Sequence, residues 1–101
     1  MLDFEHSLRS VALRVWVDGE LLLDQRVDGR VTKELAGLKL RKGGLEQTLN
    51  VGPGKHLVRA QAAWDDETKT EEIAGTFSAG SARRLEIRIG RLRKNLSLEW
   101  R

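Results

Sequence analysis

The chain has 101 residues, 40 % of them apolar and 33 % charged, with a formal net charge of +3. That length fits one domain with one modest core, and no stretch approaches the about 18 apolar residues of a membrane-spanning helix. Zero cysteines exclude a disulfide framework and any thiolate metal site.

The small net charge hides an uneven distribution. Residues 65–72 hold Asp65, Asp66, Glu67, Glu71 and Glu72 against Lys69, a local charge of −4. Residues 83–101 hold six arginines and Lys94 against Glu86 and Glu99, a local charge of +5. Such asymmetry marks an anionic partner or two neighbouring strands that neutralise each other.

The opening residues show no clean period, so residues 1–10 are expected to be a lead-in or a short edge segment, and residues 11–101 a single β-sandwich domain. They have neither a basic start nor an apolar run and do not read as a signal peptide; the expectation is a cytosolic protein or a piece of a longer chain. Alternation begins at Val11: Val11, Leu13, Val15 and Val17 share one side, Ala12, Arg14 and Trp16 the other. Asp18-Gly19 then predicts a two-residue hairpin, because a type I′ turn needs positive φ at both central residues. Its register would pair Val15 with Leu22 and Trp16 with Leu21, leaving Trp16, Leu21 and Leu23 on a second apolar face.

Residues 24–37 are the least legible. Asp28-Gly29 looks like a turn, and Val31 to Leu35 fits either a strand or one helical turn capped by Thr32. Leu38 and Leu40 alternate with polar neighbours, Lys42-Gly43-Gly44 reads as a turn, and Leu45, Leu49 and Val51 alternate again, which predicts a second hairpin. In Gly52-Pro53-Gly54-Lys55, proline presets φ at the second turn position and glycine supplies the positive φ of the third. The strand that follows puts Val58, Ala60, Ala62 and Trp64 on one side and Arg59, Gln61 and Ala63 on the other, and is the best candidate for a central strand. Asp65-Asp66-Glu67 turns the chain. Thr68 to Phe77 has the polar character of an outer strand. Leu85, Ile87 and Ile89 alternate inward, Gly90-Arg91 turns, and Leu96, Leu98 and Trp100 alternate in the last strand. The whole predicts an all-β sandwich of seven to nine short antiparallel strands.

Two fragments carry a family likeness. Val15-Trp16-Val17-Asp18-Gly19-Glu20 and Val51-Gly52-Pro53-Gly54-Lys55-His56-Leu57-Val58 resemble the V-x-V-D-G hairpin and P-G-x-H-x-V turn of PEGA domains, small bacterial β-sandwich modules. The resemblance spans roughly residues 11–99. The short Gly-x-x-Thr-Pro link usual between the two signatures is missing, and a longer stretch around Gln25–Gln47 stands in its place. The resemblance implies an immunoglobulin-like or transthyretin-like sandwich appended to a larger protein such as a kinase or envelope protein, and it implies no catalytic residues.

Reactive chemistry is sparse. His6 and His56 are not placed together by anything in the sequence, and each reads as a structural histidine. Asp65-Asp66-Glu67 lacks the alternating ligand spacing of a calcium loop, and Lys55 lacks the strand–loop–helix setting of a phosphate loop. No enzyme, metal site or cofactor is expected. The expected function is a non-catalytic protein-interaction or spacer module of a larger bacterial protein, meeting a protein partner or a second copy through Trp16, Leu21 and Leu23; cover by Val31, Leu35 and Leu38 is the competing fate of that face. The alternative is a basic β module binding nucleic acid or another polyanion through Arg91, Arg93 and Lys94. It is disfavoured, because a β surface that reads single strands interleaves aromatics with its cations. A charged strand neutralised by its acidic neighbour, with Glu71 across from Arg88, accounts for the arginines instead. Carbohydrate binding through Trp16 or Trp64 would need an exposed tryptophan platform.

Overall fold

A computed structural model of the chain describes every residue except 36, 37, 81 and 91–94, and the side chains of residues 33, 35 and 38–40 also lie outside the description. The protein is all-β. The described residues form nine strands: β1 (Leu2–His6), β2 (Ser10–Val17), β3 (Glu20–Asp28), β4 (Arg30–Leu35), β5 (Leu38–Gln47), β6 (Gly54–Trp64), β7 (Glu67–Phe77), β8 (Leu85–Ile89) and β9 (Leu96–Trp100). They form a five-stranded sheet ordered β4-β5-β1-β8-β9 and a four-stranded sheet ordered β3-β2-β6-β7.

The core lies between the sheets and follows the period-2 alternation. Val11, Leu13, Val15 and Val17 of β2 and Val58, Ala60, Ala62 and Trp64 of β6 are buried from one side, and Leu2, Phe4, Leu85, Ile87, Ile89 and Leu96 from the other. The expected turn before β6, the β6 face and the inward alternation of β8 are present, and β8 pairs with β9: Leu85 with Trp100, Ile87 with Leu98 and Ile89 with Leu96. Gly54 has a φ of 114°, the sign that its turn requires. β7 is an outer strand, as its polar sequence predicts. Along that side Trp100 links the two sheets. Its Nε1 donates to the Ala74 carbonyl at 2.8 Å, and its ring lies so close to Gly75 that a Cβ there would sit 2.5 Å from it.

Four expectations need correction. Residues 2–6 are not a lead-in or edge but the middle strand of the larger sheet, antiparallel to β5 and parallel to β8. The local signal was Leu2, Phe4 and His6, all buried, against Asp3 and Glu5; the pairing with β8 is too distant in sequence to leave a local trace.

Lys42-Gly43-Gly44 is not a turn, because β5 runs straight through it. Gly43 serves close approach instead: a Cβ there would lie 2.5 Å from His6 Nε2 and 2.6 Å from the Asp28 carbonyl oxygen.

In the opening hairpin, Asp18 and Gly19 take the expected positive φ values of 50° and 85°, and Trp16 pairs with Leu21. Val15, however, faces Leu23, because a bulge places Leu22 as the extra residue. Without it Val11 would face Arg26 and carry a guanidinium inward; with it Val11 faces Val27, and Leu23 and Val27 both reach the core.

Finally, β7 and β8 lie in different sheets, so Glu71 does not face Arg88. Glu71 pairs with Ala60, and Glu72 with Arg59.

Candidate protein-interaction surface

The outer face of the four-stranded sheet combines apolar residues with charges already in use. Leu21 of β3, Trp16 of β2, Arg59 of β6 and Glu72 of β7 form one cross-strand row. Leu57 lies on the same face of β6, two residues before Arg59. Leu21 is 47 % and Leu57 43 % exposed, while Trp16 between them is half-buried. Arg59 Nη2 meets Glu72 Oε1 at 2.7 Å, and Arg14 Nε meets Asp24 Oδ1 at 3.4 Å, so the two arginines beside this cluster have carboxylate neighbours.

The turn chemistry holds this cluster in place. Asp18 Oδ1 accepts from the Leu57 N–H at 2.9 Å, and the Asp18 N–H donates to the Leu57 carbonyl at 2.9 Å. Asp18 Oδ2 accepts from His56 Nδ1 at 2.5 Å, and His56 Nε2 donates to the Gly52 carbonyl at 2.7 Å. The Asp-Gly turn and the Pro-Gly-Lys-His turn, far apart in sequence, thus clasp each other. Their clasp fixes Leu57 relative to the hairpin bearing Trp16 and Leu21. The Asp18 carboxylate and the Gly52 carbonyl hold His56 above its ordinary pKa, and His56 together with the Leu57 amide holds Asp18 below its own.

Of the three residues expected here, Trp16 and Leu21 face outward and Leu23 is 9 % exposed in the core, displaced inward by the bulge at Leu22. Leu57 was missed; its signal was a lone leucine on the otherwise polar side of β6. Val31 belongs to the other sheet and is itself 45 % exposed; the side chains of Leu35 and Leu38 lie outside the described residues. Trp64 is 5 % exposed and points into the core, which removes it as a carbohydrate platform.

The other charged features have local explanations. Arg91, Arg93 and Lys94 lie outside the described residues. Of the other C-terminal arginines, Arg83 donates to the Thr76 carbonyl of β7 and lies over the Trp100 ring, while Arg84, Arg88 and Arg101 meet carboxylates of the five-stranded sheet. Arg84 Nη2 is 2.6 Å from Asp3 Oδ2, Arg88 Nη2 is 3.2 Å from the same oxygen, and Arg101 Nε is 2.9 Å from Glu86 Oε2. Burial would raise the Asp3 carboxyl, but donation from Arg84 and Arg88 outweighs it and holds the group below the usual carboxylate value. His6 is a satisfied core residue: Nδ1 accepts from the Leu8 N–H at 3.0 Å and Nε2 donates to the Val27 carbonyl at 2.8 Å. Among the described residues, no three His, Asp or Glu side chains gather as a metal site requires. Compared with family models, with curated proteins and with solved structures, the chain matches none.

Proposed function

We propose that this chain is a non-catalytic β-sandwich module, of the immunoglobulin-like or transthyretin-like kind implied by its PEGA-like signatures, which binds a protein surface as part of a larger bacterial protein. The observation that carries this reading is the cluster of Trp16, Leu21 and Leu57 on one solvent-facing sheet. Leaving leucines in water forgoes burial free energy of roughly 1.5–3 kcal/mol each. A half-buried tryptophan flanked by leucines and rimmed by ion pairs has the composition of an interface centre. A non-catalytic role is supported by the histidines, each of which is engaged in hydrogen bonds that hold the fold.

Site-specific photo-crosslinking in cells producing the full parent protein tests this. A crosslinker at Leu21 should give a discrete protein adduct that Trp16→Ser abolishes, and one at Glu99, on the opposite face, should not. Equal adducts from both positions, or adducts indifferent to Trp16→Ser, would overturn the reading.

A further inference from the structure

We propose a second binding surface: the two-stranded arm of β4 (Arg30–Leu35) and the first half of β5 (Leu38–Lys42), with the groove at its base, docks the phosphate backbone of double-stranded DNA. The first support is topological. β1 pairs only with Gly43–Gln47 of β5, whereas β4 pairs only with the preceding half, Leu38–Lys42. The β4–β5 pair therefore extends beyond the five-stranded sheet as a two-stranded ribbon, and such a ribbon is of a size that the DNA major groove admits.

The second support is charge. Between residues 30 and 42 the sequence has Arg30, Lys33, Lys39, Arg41 and Lys42 against a single acid, Glu34. Arg30 and Lys42 face each other directly across the ribbon, a like-charge pairing that costs the isolated fold stability. At the arm's base, Arg26, Arg30 and Lys42 line a groove of about 450 Å³ together with Gly43 and Gly44. Its one carboxylate, Asp28, accepts from Ser10 Oγ at 2.8 Å.

Arg14, Arg59, Lys69, Arg84, Arg88 and Arg101 each have a carboxylate within 4.0 Å. Among the described residues outside this groove and arm, only Arg9, Lys55 and Arg83 lack a carboxylate partner, and Arg83 instead lies over the Trp100 ring. Among the described residues, no carboxylate ion pair reaches Arg26, Arg30 or Lys42, although each is exposed. Three cations on one groove fit the spaced charges of a phosphodiester backbone. No aromatic residue occurs from Arg26 to Leu45, so nothing there stacks on unpaired bases, and the occupant is a duplex and not a single strand.

Fluorescence anisotropy with a labelled 20-base-pair DNA duplex and its isolated strand tests the proposal. The duplex should bind with micromolar affinity at about 50 mM salt, with a log–log salt slope near −3 for three phosphate contacts, and the single strand more weakly. Arg30→Glu places opposite charges across the ribbon, so it should leave thermal stability unchanged or raised while cutting duplex affinity at least fivefold. Arg26→Gln, on β3 and not on the arm, should cut it about threefold and make the slope shallower by about 1. Arg14→Glu, on the outer face of the other sheet, should change it less than twofold. No duplex binding at 50 mM, equal losses for Arg30→Glu and Arg14→Glu, or a single strand binding as tightly as the duplex would each overturn the proposal.

Discussion

The two solvent faces of this sandwich are built on the same alternation and end in opposite chemistry. On the five-stranded sheet, Glu46, Asp3, Glu86 and Glu99 form an unbroken cross-strand row of carboxylates. Like charges directly opposite are destabilising, and this face answers them with Arg84 and Arg101 on one flank and Arg88 on the other. The result is a face that satisfies its own charges. On the four-stranded sheet, the equivalent outward positions hold Leu21, Trp16 and Leu57, with ion pairs beside them. An internally matched charge lattice gains little from a partner, since breaking it exposes buried Asp3. An apolar cluster gains its burial free energy only when covered. The proposed contact therefore falls on the four-stranded face, while the five-stranded face satisfies its own charges.

The largest expected effect tests where the apolar face ends. Leu23 and Leu21 are two residues apart on one strand, but the bulge sends the first inward and leaves the second in water. Leu23→Ala should destabilise by about 2–4 kcal/mol, as a buried large-to-small change does, and Leu21→Ala by less than about 0.5 kcal/mol. Chemical denaturation of the two variants decides it. Equal costs would mean that the hairpin keeps its unbulged register and that Leu23 belongs to the interface after all.

A smaller contrast separates the ion pairs of the two faces. Asp3 is 7 % exposed and accepts from two arginines, so Asp3→Ala leaves two guanidiniums without their shared acceptor and should cost about 2 kcal/mol. Arg59→Ala removes an exposed pair and should cost under about 1 kcal/mol. The Asp3 contribution has a defined pH sense. Its folded pKa is lowered, so the stabilisation is complete above the unfolded value near 3.9 and is lost as pH falls through the folded value. Denaturation midpoints at pH 7 and pH 3 should therefore converge for wild type and Asp3→Ala. A gap that stays constant would show that the cost is packing and not charge.

What could be read beforehand divides along physical lines. The Asp18-Gly19 and Gly52-Pro53-Gly54 turns, the β6 face and the inward alternation of β8 were legible, because each rests on a turn demanding positive φ or on a clean alternation nearby. Trp16 and Leu21 were legible for the same reason. β1 was not: its partners β5 and β8 lie far along the chain, and its third inward residue is a histidine. Gly43-Gly44 misled because glycine serves both turns and close approach, and only the neighbouring His6 and Asp28 reveal which. The bulge at Leu22 was hidden, since one extra residue leaves no compositional mark. Its effect appears only when Val11 must face Val27 and not Arg26.

The smallest expected effect extends the comparison to the two histidines, one on each sheet. His56 on β6 has an acceptor at both ring nitrogens, the Asp18 carboxylate and the Gly52 carbonyl. Only the imidazolium, with two N–H groups, donates to both. His6 on β1 receives the Leu8 N–H at Nδ1 and donates from Nε2, an arrangement that only the neutral ring completes. Burial holds His6 below the ordinary value near 6.5, against an opposing pull from the Val27 carbonyl and Asp28. The two rings therefore respond to pH in opposite senses. The His56 contribution is fully present below about 6.5 and fades as pH rises through its raised folded pKa; its partner Asp18 contributes above about 3.9 and fades as pH falls through its lowered one. For His6 the unfolded chain takes up the proton first, so stability declines as pH drops from about 6.5 through the lowered folded pKa. An NMR titration of the two imidazole resonances should give one midpoint above 6.5 and one below. Asp18→Asn should bring the upper midpoint down and leave the lower one unmoved. If both midpoints shift together, or the upper one ignores the substitution, the clasp between the two turns does not form, and the placement of Leu57 beside Trp16 loses its support.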